Sequence, residues 1–416
     1  MDKKSIKFFT LGCKVNQYET EAIRKLCLPI FREAGNKEPA DICIVNTCTV
    51  TKTADIKSIK YIRKAKRKNP KAKIIVTGCL AEKDREKIKA EKVDFILSQG
   101  RKQDILSLLL PKAKRLNSTW DLKIDSFSHS RAFVKVQDGC DKACSFCKVR
   151  IVRGKSRSRP LKEVIEEISI LSEKGFKEIV LCGINLGSWR ERDKDFIFLI
   201  NKILKIKNLG RLRLSSLEPE HITDGLISLM KDNPMLCPHL HIPFQSGSDK
   251  ILKLMNKNYT QKYYFSLLTR IRRKILSCGI SCDIMAGFPQ ENDKDFQDSL
   301  DLLKEAVPVK THIFPYSPRE GTVSFSFNQL HKDIVRLRID RLKKLSETLS
   351  LKFRLSQKGK CFNLILDSGD ISKNREGYTE NYIRAQIDTP VYTKGFVRVR
   401  IISADRNNAY AKTLPE

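Results

Sequence analysis

No apolar run in this chain reaches the ~18 residues that a membrane span requires. A membrane protein is therefore not expected. The first residues, Met1 to Ser5, lead straight into a strand-like segment without the apolar stretch of a secretion signal, which points to the cytoplasm. Acidic residues are scarce beside basic ones: 48 Asp and Glu face 80 Lys and Arg, a net charge of +32. With no lipid-binding features, the polyanionic partner expected from that imbalance is nucleic acid. Charge alone says nothing about which nucleic-acid sequence is bound. The last shortage is local. Cys140, Cys144 and Cys147 are spaced C-x3-C-x2-C just after a strand-like run at 133–136, and no fourth Cys or His follows at zinc-site spacing.

At 416 residues and 41% hydrophobic composition, the chain has ample sequence for two or three globular domains. Its thirteen cysteines, in a long chain without an export signal, read as metal ligands or reduced core residues rather than a disulfide scaffold. Thiolates are soft ligands suited to iron–sulfur clusters, zinc or copper(I). Three ligands to a four-iron cluster leave one iron open to a substrate. The spacing Cys140-x3-Cys144-x2-Cys147 is similar to that of the radical S-adenosylmethionine (SAM) superfamily. That resemblance implies a [4Fe-4S] cluster whose open iron chelates SAM.

Residues 1–118 alternate strand and helix, with strand-like runs at 6–11, 42–45, 73–76 and 93–97. The pattern predicts a doubly wound parallel α/β domain. Cys13, Cys48 and Cys79 hold the same place in successive units, past the carboxyl end of a strand and ahead of a helix. Those ends share one sheet edge, so the three are expected to meet although 35 and 31 residues separate them. A helix amino terminus also favours the ligating thiolate. Cys27 and Cys43 read as core. A basic helical stretch over 57–73 is a candidate RNA surface, or a solvated face.

Residues 125–357 contain six strand-like runs, at 133–136, 178–181, 211–214, 239–242, 281–285 and 311–314, with helices between them. Six such β/α units match the partial barrel of radical SAM enzymes, whose sites lie at the strands' carboxyl ends. Cys140, Gly183, Asn185, Ser216, Glu218, Gln245, Ser246, Gly287 and Tyr316 stand there. Glu218 could equally cap a helix. His239 and His241 read as hydrogen-bonded barrel residues, and Cys182, Cys237, Cys278 and Cys282 as core. Residues 358–416 show short alternating runs at 361–366, 382–387 and 396–402, punctuated by Gly369, Gly377 and Gly395, which predicts a small antiparallel β-barrel.

Three segments make the resemblance specific: Thr10-Leu11-Gly12-Cys13-Lys14-Val15-Asn16-Gln17-Tyr18-Glu19-Thr20, Val45-Asn46-Thr47-Cys48-Thr49-Val50-Thr51 and Thr77-Gly78-Cys79. They resemble the amino-terminal domain of radical SAM methylthiotransferases. This implies an auxiliary [4Fe-4S] cluster on Cys13, Cys48 and Cys79. Lys14-Val15-Asn16-Gln17 is similar to the branch acting on N6-threonylcarbamoyladenosine at tRNA position 37. Between Gly35 and Asp41 the chain is shorter than the family's, so the sheet is expected to lack an edge strand. The same resemblance implies SAM contacts from Gly183, Ser216, Glu218 and Gln245. The segments 376–384 and 395–400 resemble a TRAM domain, an RNA-binding barrel with interleaved Arg and aromatic side chains. The implied protein is a cytoplasmic enzyme in which one SAM methylates sulfur and a second yields a radical that takes hydrogen from carbon 2 of the adenine. It implies tRNA as substrate, an electron donor such as flavodoxin or ferredoxin, and a sulfur donor left unassigned. The alternatives are methylthiolation of N6-isopentenyladenosine or of ribosomal protein S12, and a non-catalytic RNA-binding iron–sulfur protein.

Overall fold

A computed structural model describes residues 3–113, 115–367, 375–389, 391 and 395–415. The amino-terminal sheet is parallel. From edge to edge it runs Arg32–Glu33, Ser5–Thr10, Ile42–Thr47, Lys73–Gly78 and Phe95–Ile96. Its central strand Ile42–Thr47 is buried along its whole length, as a parallel strand covered on both faces must be. The edge strand expected to be missing is present as two residues. Arg32 donates its backbone N–H to Lys4 and Ala34 to Ile6, and Glu38 ties the shortened link back to Arg32 and to the Gly35 backbone. The loss in sequence therefore shortens the edge without removing it.

The middle of the chain forms six parallel strands in chain order: Arg131–Lys135, Glu178–Cys182, Arg211–Leu214, His239–Gln245, Gly279–Ala286 and Lys310–Pro315. Between the third and fourth strands the ladder thins to single bridges at Leu212–Leu236 and Ser216–His241. The barrel is open between its first and last strands. Helices return outside it, begun by side-chain caps where the sequence places them. Asn292, for example, accepts from Asp295 N–H while Asp295 reaches back.

One apolar core runs through both units. Val15, Tyr18 and Ile23 of the helix Lys14–Cys27 pack with Phe133, Val134 and Leu171 of the barrel. Tyr18 also donates its hydroxyl to Glu167 at 3.0 Å. The final unit is a closed five-stranded barrel, in the order Cys361–Leu366, Glu376–Tyr378, Arg384–Ile387, Ala409–Thr413 and Phe396–Ala404. Two of these strands, Glu376–Tyr378 and Ala409–Thr413, were not anticipated; Gly369 lies outside the described residues. This unit has a separate core around Leu364, Ile383, Val399 and Ala411. Among the described residues no helix is long and apolar enough to cross a membrane.

The last barrel is bolted to the amino end of the larger one by charge. Glu178 is fully buried between Arg211 and Arg213, its oxygens 2.6 and 2.7 Å from the two Nε atoms. Both guanidinium groups then donate to backbone carbonyls of the last unit: Asn363, Tyr378, Thr379 and Glu380. Gly279 meets the same unit so closely that a Cβ would fall 2.0 Å from the Asn381 carbonyl.

Burial alone would raise the Glu178 carboxyl, but Arg211 and Arg213 outweigh it and hold it at about 2. In an unfolded chain the value is about 4.3. Glu178 thus contributes stability that is complete above the unfolded value and lost as the pH falls toward about 2. Glu178→Gln strands two buried cations and is expected to cost roughly 3–5 kcal/mol, read as a lower urea midpoint at neutral pH. The gap to the unaltered protein should narrow on acidification from about pH 5.

Candidate functional site

The loop bearing Cys140, Cys144 and Cys147 follows the short strand Gln137–Asp138. Gly139 adopts φ +72°, and a Cβ there would lie 2.0 Å from the Lys155 carbonyl, so only glycine fits the turn. The loop is pinned to the barrel: Ser145 N–H donates to the Met255 carbonyl at 3.1 Å, and Asn256 Nδ2 to the Ala143 carbonyl at 2.9 Å. Burial, with Cys144 and Cys140 alongside, pushes the Cys147 thiol up to about 12. Such thiols deprotonate only when a metal supplies the compensating charge.

The second triad assembles as the parallel topology requires. Cys13 caps the helix Lys14–Cys27, Cys48 directly follows the strand Ile42–Thr47, and Cys79 opens the helix after Lys73–Gly78. Asn16 Nδ2 donates to the carbonyls of Leu11 and Thr47, drawing two strand ends together at 2.7 and 3.0 Å. A Cβ on Gly12 would stand 3.0 Å from that of Cys48. Burial first, then Cys79 and Cys13, push the Cys48 thiol up to about 12. The three thiols thus lie near enough to act on one another electrostatically.

One whole triad and a cysteine of the other share a single cavity of about 680 Å3. Cys13, Cys48 and Cys79 line it, as does Cys147, and so do Gly183, Ser216, Glu218 and Gln245. Cys140 and Cys144 share the Cys147 loop but are not among the lining residues. The Glu218 side chain caps no helix. It instead accepts from Lys257 Nζ at 3.0 and 2.9 Å and from the Tyr259 hydroxyl. Gln245 sits at an irregularity of its strand with φ +65°, and its buried Oε1 has no partner among the described residues. An unsatisfied buried acceptor facing a cavity is suited to a ligand donor. Phe146, Val149, Val152, Met285 and Phe314 add an apolar stretch to a wall that also carries Lys14, Arg153, His241, Asp283 and His312.

Beneath the second triad lies a charge network that sequence reasoning missed. Glu19 is fully buried and contacts Lys102, Lys135 at 2.8 Å, Arg153 at 3.1 Å and Gln99 at 3.0 Å. Asp138 takes the other sides of Lys135 and Arg153 at 3.0 and 2.9 Å. Burial would raise the Asp138 carboxyl; Lys135 and Arg153 overcome it and hold it at about 2. Three cations against two carboxylates leave one net positive charge, next to Cys79 and Cys13. A [4Fe-4S] core in its usual oxidised state on three thiolates carries one net negative charge. Donor set and surrounding charge therefore both fit such a group. Glu19 lies between Thr10 and Thr20, but its pairing with Arg153 spans 134 residues and has no local signature. Lys257 and Tyr259 likewise carry no motif.

The six cysteines read as core behave so: Cys27, Cys43, Cys182, Cys237, Cys278 and Cys282 are all buried. His239 and His241 share the Ser281 hydroxyl, each at 2.9 Å, as hydrogen-bonded barrel histidines.

Two family models match the chain: uncharacterized protein family UPF0004 over residues 5–98, and the radical SAM superfamily over 134–303. The threonylcarbamoyladenosine tRNA methylthiotransferase MtaB of Chlamydia pneumoniae is 34% identical over 390 residues, covering 91% of each chain. Its namesake in Bacillus subtilis (strain 168) is 33% identical over 428 residues, 96% of this chain and 94% of that one. A tRNA-2-methylthio-N(6)-dimethylallyladenosine synthase of Thermodesulfovibrio yellowstonii is 30% identical over 431 residues, 98% of both. Among solved structures, the radical SAM methyltransferase TsrM of Kitasatospora setae, with cobalamin and a [4Fe-4S] cluster bound, shares the fold. The TM-score is 0.57 at 12% identity, over 78% of this chain and 77% of that one.

Arg153→Met leaves Glu19 and Asp138 underpaired and removes the positive charge beside Cys79. It is expected to abolish iron at the Cys13–Cys48–Cys79 triad and spare it at the other, halving iron per chain in anaerobically reconstituted protein. Full iron content would show that the network does not support that site.

Proposed function

The chain belongs to the radical SAM tRNA methylthiotransferases, and from that premise we propose that it methylthiolates carbon 2 of N6-threonylcarbamoyladenosine at tRNA position 37. The observation that carries this reading is the single cavity with Cys13, Cys48 and Cys79 in its wall and Cys147 of the other triad facing them. The choice of nucleoside is supported by Lys14-Val15-Asn16-Gln17 and by the two MtaB relatives. Dimethylallyladenosine in tRNA is the second reading, supported by the Thermodesulfovibrio relative.

When bound, SAM and two [4Fe-4S] clusters supply the radical and the sulfur-bearing group, chemistry that no amino-acid side chain provides. The protein's part is position and dryness. Cys140, Cys144 and Cys147 hold one cluster; Cys13, Cys48 and Cys79 hold the other. Gln245 Oε1 and the Ser216 hydroxyl offer polar contacts to SAM, with Gly183 allowing close backbone approach. Burial would lower the Lys257 ammonium, but Glu218 keeps it raised and charged beside Cys144. The apolar side chains Phe146, Val149, Val152, Met285 and Phe314 limit water on their side of the cavity. Arg398 and Arg400 alternate outward on the last barrel and present charge to the tRNA backbone, whereas Arg384, also exposed, is paired with Glu376. A reduced flavodoxin or ferredoxin is the electron donor, in the cytoplasm.

Mass spectrometry of tRNA nucleosides from a deletion strain tests the substrate. Loss of the 2-methylthio form of threonylcarbamoyladenosine is expected, with the isopentenyl derivative unchanged; the reverse would select the second reading. Cys140→Ala, Cys144→Ala or Cys147→Ala is expected to end 5′-deoxyadenosine formation. Cys13→Ala, Cys48→Ala or Cys79→Ala should preserve SAM cleavage and end sulfur insertion. Loss of cleavage in both sets would contradict the division of roles.

A further inference from the structure

A second cavity, of about 180 Å3, leads from the first into the barrel lumen. Cys13, Lys14, Gly183, Ser216, His241 and His312 line both. Its floor is Tyr382 of the last barrel, stacked on His239 with ring centroids 4.2 Å apart. The charges around this lumen are matched with one exception. Arg213 and Arg131 are paired with Glu178, Lys148 with Asp84, and Arg153 with Glu19 and Asp138. Asp283 takes His241 Nε2 at 3.1 Å. Among the described residues lining either cavity, Lys14 is the only lysine or arginine without a carboxylate within 4 Å; the Asp283 carboxylate acts on it at longer range. The His312 ring, 5.5 Å from that of His241, makes no hydrogen bond to a described residue.

A half-buried ammonium outside any ion pair and an imidazole without a hydrogen bond, both lining the mouth of one lumen, suit a ligand with a carboxylate and further polar atoms. A metal ion is the competing occupant, because ligand atoms of His241, Asp283 and His312 lie within 4.8 Å of one another. The free charge of Lys14 in the same lumen opposes a cation there and favours an anion. The net positive charge beside Cys79 already balances a three-thiolate cluster, so Lys14 is not needed for that purpose. Of the two nucleosides considered above, the threonylcarbamoyl one carries a carboxylate and a hydroxyl on its N6 substituent. The dimethylallyl group carries neither, and would leave Lys14 desolvated and unpaired.

We propose that Lys14 and His312 form the specificity site for the target adenine's N6 substituent, Lys14 pairing with its carboxylate and His312 hydrogen-bonding its hydroxyl or carbonyl. This rests on the threonylcarbamoyl reading. The test uses anaerobically reconstituted protein and anticodon stem-loops carrying threonylcarbamoyladenosine, its uncharged methyl ester, isopentenyladenosine or plain adenosine, with affinity read by fluorescence anisotropy. The unaltered protein is expected to prefer the carboxylate over the ester by roughly tenfold, the scale of a charge-assisted contact. In Lys14→Met that preference should fall to about one, with ester affinity kept and full iron content; Lys14→Arg should restore it. His312→Leu should weaken binding of acid and ester alike, and provides the test if Lys14→Met fails to load iron. A Lys14→Met protein that still favours the acid over the ester would overturn the proposal. So would zinc retained by the unaltered protein and lost in His312→Leu. A preference of the unaltered protein for the isopentenyl stem-loop would instead overturn the substrate reading, and the proposal with it.

Discussion

Arg153 is where the molecule's two chemical halves are joined. It reaches from the loop region of the barrel to Glu19 and Asn16 of the amino-terminal domain, and to Asp138 at the root of the Cys140 loop. Taking ions out of water costs several kcal/mol each even after relaxation, and close pairing offsets that only when the geometry is held. Glu19, Lys102, Lys135, Asp138 and Arg153 are all buried and drawn from both units. Sliding one unit past the other would expose that cost. The network therefore fixes the separation of the two triads more strictly than the shared apolar core, which tolerates small shifts. A reaction passing a group between two centres depends on such fixed placement.

The opposite end of the barrel repeats the device for another purpose. Glu178 with Arg211 and Arg213 ties the last barrel to the lumen floor, and Tyr382 enters that floor directly. The unit that offers outward-facing arginines thus also closes the bottom of the cavity. Its attachment at Glu178 is polar, through carbonyls and guanidinium groups, which fixes orientation, while Val309 and Phe353 join its apolar core.

What could be read from sequence follows from how local each signal is. Cys140, Cys144 and Cys147 lie within eight residues, so spacing alone marks them. Cys13, Cys48 and Cys79 are far apart, yet each repeats the same strand–cysteine–helix position, and parallel topology turns that repetition into proximity. The six barrel strands were legible because they are apolar runs broken by helices. The edge strand Arg32–Glu33 was not, since two exposed residues carry no periodicity. Glu376–Tyr378 and Ala409–Thr413 escaped for a similar reason: three and five residues are too short to show alternation. Arg153–Glu19 and Glu218–Lys257 were invisible because a charged residue's partner is set by tertiary structure. Glu218 was weighed as a helix cap, and only the fold shows its carboxylate committed to Lys257 and Tyr259.

Charge acts on two scales in this protein, and they answer different questions. The net +32 draws in any RNA and does so without regard to its bases. Exposed lysines and arginines on the helix Lys52–Lys68 add to that attraction, screened by salt like other surface charge. Telling one modified adenine from another cannot come from that field, because adenines differing only in an N6 substituent sit on the same phosphate backbone. Discrimination requires a charge that lines the cavity and is not committed to an ion pair. In a lumen where Arg131, Arg153, Arg213 and Lys148 are each matched, the unmatched residue is Lys14, immediately after Cys13. In the reading proposed above, the selecting charge stands next to Cys13, a proposed cluster ligand, so recognition and sulfur delivery would share one turn of chain.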